Sequence, residues 1–210
     1  YRNPSQLRDG HVLVVGVGNS GGEIALELAR THRVTLAGTP TGQIPVRIGS
    51  RRSKVFFHVF RFVGHRLLTR RTPIGRRVLA KGHRAAPLVR ARPKELAAAG
   101  VERVGRIGGV EGGRPRVDDR RTLEVDDVIW CTGFRRDFPW IDIPIFDGAG
   151  RPVHERGVVP AAPGLAFVGL SGQFALSSDV IPGAGRDAGY VVKRLAAASK
   201  GSRELAAASA

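Results

Sequence analysis

Val12-Leu13-Val14-Val15 form a short unbroken apolar run, bounded by Asp9-Gly10 on one side and by Gly16, Gly18 and Gly21 on the other. A run of that length, β-branched and fenced by glycines, predicts a buried parallel strand. Behind the glycines, Ile24, Leu26 and Leu28 with Ala25 and Ala29 predict a helix, and Arg33 to Ala37 a second strand. From Ser53 to about Ala80 the pattern is helical. Phe56, Val59, Phe60, Val63 and Leu67 recur at the spacing of one helix face, while Lys54, His58, Arg61 and His65 lie elsewhere around the wheel. Gly64 and Pro73 are expected to interrupt or end these helices. After Gly100, short strands at Val101 to Arg106, Gly108 to Val110, Pro115 to Val117 and Thr122 to Val125 predict a β-meander joined by Gly112-Gly113 and Asp118-Asp119. Val128 to Phe134 predicts a further buried strand, running into a Thr132-Gly133 turn.

The glycines carry the first chemistry. Gly16, Gly18 and Gly21 stand in G-x-G-x-x-G spacing between a strand and a helix, with a second strand beyond. That order is the dinucleotide fingerprint. Gly16 permits the tight turn, Gly18 lets the backbone approach a pyrophosphate, and Gly21 lets helix and strand pack closely. The helix start then offers free N–H groups and a partial positive charge to phosphates. The bland alternative is a flexible glycine turn. Thr132 and Gly133 fall at the carboxyl end of a parallel strand, where open α/β sheets bind ligands. The expected fold class is therefore α/β: a Rossmann-like dinucleotide-binding domain with a parallel sheet and a β-meander.

Composition sharpens this. The chain has 210 residues, 42% of them hydrophobic, which supports a packed core and excludes a disordered chain. No run approaches the ~18 apolar residues of a membrane-spanning helix. The net charge of +16 is local: between Glu27 and Glu95 there are 17 Lys and Arg and no acid, while the remaining 17 basic residues face 18 acidic ones. The segment between those two glutamates thus carries the whole imbalance, most of it in a basic helical insert over 41–95. Arginine outnumbers lysine 29 to 5, so part of this charge reads as simple codon bias on solvated positions. The second strand ends Ala37-Gly38-Thr39-Pro40 without an acid. An acid there would favour NAD through the ribose 2′-hydroxyl, whereas its absence and Arg47, Arg51 and Arg52 downstream lean to NADP. The basic amphipathic stretch reads as core or a lid over the nucleotide cleft, with a membrane surface and nucleic acid as lesser alternatives. The lone Cys131 lies in an apolar strand and is expected to be inert, and the scattered histidines give no metal spacing, so no metal site is expected.

GVGNSGGE at 16–23 and DDVIWCTGF at 126–134 resemble the NADPH-binding half of the flavin-containing monooxygenase-like FAD/NAD(P)-dependent oxidoreductases. The tail agrees: Pro163 to Leu170 resembles the returning strand of that family's FAD domain, and Gly183-Ala184-Gly185-Arg186-Asp187-Ala188 its last helix. Tyr1 resembles the final aromatic of a motif that precedes the NADPH domain, and the lack of any Met suggests a piece of a longer chain. The implied organisation is a linker over 1–8, an NAD(P)-binding domain over 9–135 and the C-terminal part of an FAD domain over 136–210. The implied reaction passes hydride from NADPH to FAD, forms a flavin C4a-hydroperoxide with O₂, and oxygenates a small-molecule substrate. By carry-over, Asn19 and Ser20 face the NADPH phosphates, Thr132 and Gly133 lie near the nucleotide, and Gly169, Gln173, Arg186 and Asp187 approach the flavin. No catalytic residue is assigned.

Two departures matter. Thr39 stands where the family usually has arginine, so phosphate selectivity is expected to rest on Arg47, Arg51 or Arg52, or to relax toward NADH. Only one fingerprint occurs, so FAD is expected to need an upstream FAD domain or a partner subunit. A homodimer, a cytoplasmic location and no nucleic-acid partner complete the expectation. A stand-alone NAD(P)-binding sensor without catalysis is the alternative.

Overall fold

The computed structural model describes residues 1–80, 87–134 and 136–208. In chain order these form β1 (His11–Val15), α1 (Asn19–Leu28), β2 (Arg33–Ala37), α2 (Arg51–Phe62), α3 (Pro73–Ala80), α4 (Pro93–Ala98), β3 (Glu102–Val104), β4 (Ile107–Glu111), β5 (Arg114–Val117), β6 (Asp127–Trp130) and α5 (Ile181–Ala208). The chain divides into two compact units, Tyr1–Ser53 with Arg84–Arg135, and Lys54–His83 with Arg136–Ala210. Part of the 41–95 insert lies in each, and its residues 81–86 fall outside the described ones.

The first unit holds a four-stranded sheet in the order β3-β2-β1-β6, parallel throughout. Val12 pairs with Val34 on one side and Asp127 on the other, so β1 is central. The alternation of β1 and β2 splits their side chains between two layers. Val12, Val14, Val34 and Leu36 pack under Ala25 and Leu28 of α1 and Leu96 of α4. Leu13, Ala37 and Val104 pack under Val117 and Leu123. The two strands are therefore buried on both faces, as an unbroken apolar run demands.

The expected meander is smaller than its sequence pattern. Its first member, β3, is instead a parallel strand paired with β2 through Thr35–Glu102 and Ala37–Val104. Only β4 and β5 form a hairpin, turning at Gly112 and Gly113 with φ of 56° and 76°. Two successive left-handed residues suit the right-handed twist of a hairpin, and glycine adopts them without strain. Thr122 contributes a single bridge to Arg116. The expected buried strand at Val128–Phe134 ends at Trp130 and is half-buried: Ile129 faces the core while Trp130 is 66% exposed. β6 is the sheet's last strand, and the hairpin layer of Val117 and Leu123 gathers over β1, β2 and β3 instead.

In the second unit α2 continues without a break into a π-helical turn over Val63–Leu67. Gly64 therefore extends the helix where an interruption is expected. It is buried, with Ser177 donating to its carbonyl oxygen at 3.3 Å. Pro73 opens α3 instead of ending a helix, consistent with its missing N–H. The apolar stripe is not core: Val59 is 57% and Phe60 51% exposed, and Phe56 stacks on Phe60 at 5.9 Å. What this stretch buries is the small residues Ser53 and Gly64. Phe138, Phe146, Ile145, Val159 and Phe167 form a separate small core. The returning strand expected near Leu170 is a single bridge between Val158 and Ala166. Gly183 and Gly185 lie inside the first turns of α5, and Gly183 admits no side chain because a Cβ would overlap the Ser177 carbonyl. Among the described residues no helix is long and apolar enough to cross a membrane.

Candidate functional site

The glycine turn joins the carboxyl ends of β1, β2 and β6. Gly16 sits at φ +114°, where only glycine is unstrained, and its N–H donates to the Ala37 carbonyl at 2.8 Å. The Cys131 N–H donates to the Val15 carbonyl at 2.7 Å, carrying the β1–β6 ladder one residue past β6. A Cβ on Gly16 would overlap the Cys131 carbonyl, and one on Gly21 would overlap the Gly16 carbonyl. These two glycines are required by close packing. Gly18 differs: its backbone is extended, with φ −73° and ψ −174°, and a Cβ there meets nothing within 4 Å.

Gly18 is the N-cap of α1, without a side-chain capping bond and with no acid in the first turn. The first intrahelical bond of α1 runs from the Gly22 N–H to the Gly18 carbonyl, 2.9 Å. The N–H groups of Asn19, Ser20 and Gly21 therefore lack intrahelical acceptors and add to the positive end of the helix dipole. Ser20 is exposed beside them. The Asn19 side chain is otherwise engaged. Its Nδ2 donates to the Pro87 carbonyl at 3.2 Å and its Oδ1 accepts from the Val89 N–H at 2.8 Å. That clamp holds the 87–89 segment, which also pairs with 42–44 through the Leu88 N–H to the Gly42 carbonyl, 2.7 Å.

Thr132 and Gly133 follow β6 and are exposed, Gly133 at φ +87° with open space around it. They stand beside Cys131, whose carbonyl packs on Gly16. Burial pushes the Cys131 thiol up, so little of the nucleophilic thiolate exists near neutrality. Arg47 is ion-paired with Glu95 at 3.3 Å. The Arg92 N–H, then Arg47, hold the Glu95 carboxyl below its ordinary value. Arg51 and Arg52 lie exposed on the first turn of α2. At the end of β2, Thr39 Oγ1 accepts from Arg106 Nε at 2.9 Å, a contact with no signal in the sequence because 67 positions separate the two. A hollow of about 720 Å³ opens elsewhere, beside Ile107, Val110, Val128 and Trp130; none of the fingerprint glycines lines it.

In the second unit, three of the four residues expected near a flavin gather. Asp187 is fully buried, its Oδ1 accepting from Arg186 at 2.9 Å and lying 3.9 Å from Arg156. Its Oδ2 is buried and has no hydrogen-bond partner among the described residues. Gln173, also fully buried, accepts from the Leu170 N–H and donates to the Arg156 carbonyl, both at 3.2 Å. Gly169, the fourth, has φ +84° and space around it. Sequence reasoning missed Arg156, whose guanidinium stacks 3.9 Å over Phe174 and 4.2 Å over Tyr190.

Residues 1–60 match the family described as FMO-like, flavin-binding monooxygenase-like. An uncharacterized oxidoreductase CzcO-like of Geobacillus kaustophilus (strain HTA426) is 35% identical over 195 residues, 91% of this chain and 54% of that protein. The uncharacterized oxidoreductase CzcO of Bacillus subtilis (strain 168) is 35% identical over 203 residues, 93% of this chain and 55% of that protein. The chain thus spans about half the length of these curated relatives. Among solved structures, a doubly substituted flavin monooxygenase from Stenotrophomonas maltophilia superposes with a TM-score of 0.58 at 19% identity, over 94% of this chain and 53% of that one. That likeness shows the fold. The family match thus falls on the β1–α1–β2 unit, and the similarity to the two oxidoreductases extends over about nine-tenths of the sequence.

Proposed function

We propose that the chain binds NADP(H) at the glycine turn and serves an FAD-dependent oxidoreductase that uses O₂ to oxygenate a small molecule. One observation carries the nucleotide part. Gly16 and Gly21 are glycines because neighbouring backbone fills their Cβ positions, whereas nothing in the protein fills that of Gly18. An open Cβ position at the N-cap, next to three N–H groups without intrahelical acceptors and with no acid in that turn, fits a pyrophosphate. The orphan Asp187 Oδ2 is a buried acceptor in want of a donor, which fits a hydroxyl-bearing group such as the flavin's ribityl chain.

The chemistry the two groups supply when bound is hydride transfer from NADPH to FAD and oxygen transfer from O₂ at flavin C4a to the substrate. The residues of this chain bind and orient. The N–H groups at 19–21 hold the pyrophosphate, Thr132 and Gly133 border the nucleotide, and Gly169, Gln173, Arg186 and Asp187 approach the flavin. A further FAD-binding domain or a partner subunit completes that flavin site.

The test is anaerobic spectroscopy of the purified chain with FAD and NADPH, beside the CzcO-like relative of full length. Bleaching of the flavin's visible band by NADPH, accelerated by the protein, supports the proposal. Nucleotide binding without any effect on the flavin in either protein contradicts the oxidoreductase reading and favours a nucleotide-sensing module.

A further inference from the structure

We infer that Arg106, from the turn between β3 and β4, is the residue that reads the 2′-phosphate of NADP(H). This rests on the nucleotide site proposed above and adds its coenzyme selectivity. In a strand–turn–helix–strand nucleotide fold, the adenosine ribose lies by the end of the second strand, about 20 residues past the first glycine, and the charge there decides between hydroxyl and phosphate. Here that end is tied to the glycine turn by the Gly16 N–H on the Ala37 carbonyl, 2.8 Å. It is tied to the third strand by the Gly38 N–H on the Val104 carbonyl, 3.2 Å. Two residues beyond Val104 comes Arg106, and its Nε donates to Thr39 Oγ1 at 2.9 Å.

The backbone of Arg106 is pinned. Its N–H donates to Asp118 Oδ2 at 3.2 Å and its carbonyl accepts from the Asp118 N–H at 2.8 Å. Gly105 makes this possible, since a Cβ there would overlap the Asp118 carboxylate. With Nε on Thr39, the Nη groups remain for an anion, and no carboxylate among the described residues pairs with the guanidinium. Arg47, by contrast, is spent on Glu95 at 3.3 Å. A guanidinium fixed at both backbone and Nε is pre-organised for a forked bond to a phosphate.

The experiment measures equilibrium binding of NADP⁺ and NAD⁺ to the wild-type chain and to Arg106→Ala, Thr39→Val and Arg47→Ala. Arg106 is exposed, so its substitution leaves the fold intact, as circular dichroism will verify. Arg106→Ala is expected to weaken NADP⁺ by about tenfold or more and NAD⁺ by less than about threefold. Thr39→Val is expected to give a smaller loss confined to NADP⁺. Adding Thr39→Arg to Arg106→Ala, which returns a guanidinium to the same end of β2, is expected to restore the preference. Equal losses for both nucleotides, no loss, or a selective loss in Arg47→Ala alone would overturn the assignment. A wild-type chain that binds neither nucleotide overturns the underlying site as well.

Discussion

Gly21 lies so close to Gly16 that a Cβ on the helix residue would occupy the position of the Gly16 carbonyl oxygen. The first turn of α1 therefore rests directly on the backbone that ends β1, and no side chain fits between. Gly21→Ala is expected to destabilise the fold by ~2 kcal/mol or more, because overpacking against backbone has no soft neighbour to move. Urea unfolding measures it.

The Asn19 side chain bonds the backbone of Pro87 and Val89, which leaves its own N–H at the helix start. Asn19→Ala is expected to cost about 1–2 kcal/mol of stability through two lost hydrogen bonds, while nucleotide affinity changes by less than about threefold, since its backbone N–H stays in place. Parallel unfolding and binding measurements separate the two effects.

His65 and His154 give the second unit a pH dependence. Burial, then Arg186 and Arg61, lower the pKa of His65 from 6.5; burial, then Arg70, do the same for His154. The Nδ1 of each ring faces a polar neighbour, that of His65 at 2.9 Å from Ser177 Oγ and that of His154 accepting from the Gly157 N–H at 3.1 Å. The folded protein keeps both rings neutral where the unfolded chain would already protonate. Their contribution is therefore fully present above the ordinary value of 6.5 and is lost as pH falls from there through the lowered folded values. Thermal unfolding across this range should show Tm falling with acidification, less steeply in His65→Gln. A Tm that rises toward acid contradicts the assignment.

Asp187 holds two guanidinium groups in a largely buried place. Asp187→Ala leaves Arg156 and Arg186 without their carboxylate and is expected to destabilise by about 3–5 kcal/mol. Asp187→Asn keeps an acceptor for Arg186 and is expected to lose less. Denaturant midpoints of the two variants check the order.

The parts legible in the sequence are those whose constraint is local. The roles of Gly16 and Gly21 follow from turn geometry and strand–helix contact within six residues, and the runs of β1 and β2 announce burial on both faces. The illegible parts depend on distant partners. Whether Val101 to Arg106 joins a meander or the parallel sheet is decided by the free edge of β2. Trp130 is exposed because its strand is last in the sheet, a fact of topology that its apolar neighbours do not carry. The stripe of Val59 and Phe60 has perfect helical spacing, yet the same stretch buries Ser53 and Gly64, since periodicity identifies an apolar face without saying what covers it. Arg106 reaches Thr39 only because β3 lies beside β2.

Calorimetric titration of NADP⁺ into the wild-type chain and into Gly18→Asp tests whether the open position at Gly18 receives a dinucleotide. Aspartate is a favoured N-cap and its charge suits the helix dipole, so this variant is expected to be as stable as the wild type or up to ~1 kcal/mol more so. Its carboxylate would stand where the pyrophosphate approaches. The expected result is saturable one-to-one binding by the wild type and affinity at least about tenfold weaker in the stable variant. Wild-type heats no larger than dilution, or equal affinity in Gly18→Asp, would contradict the account.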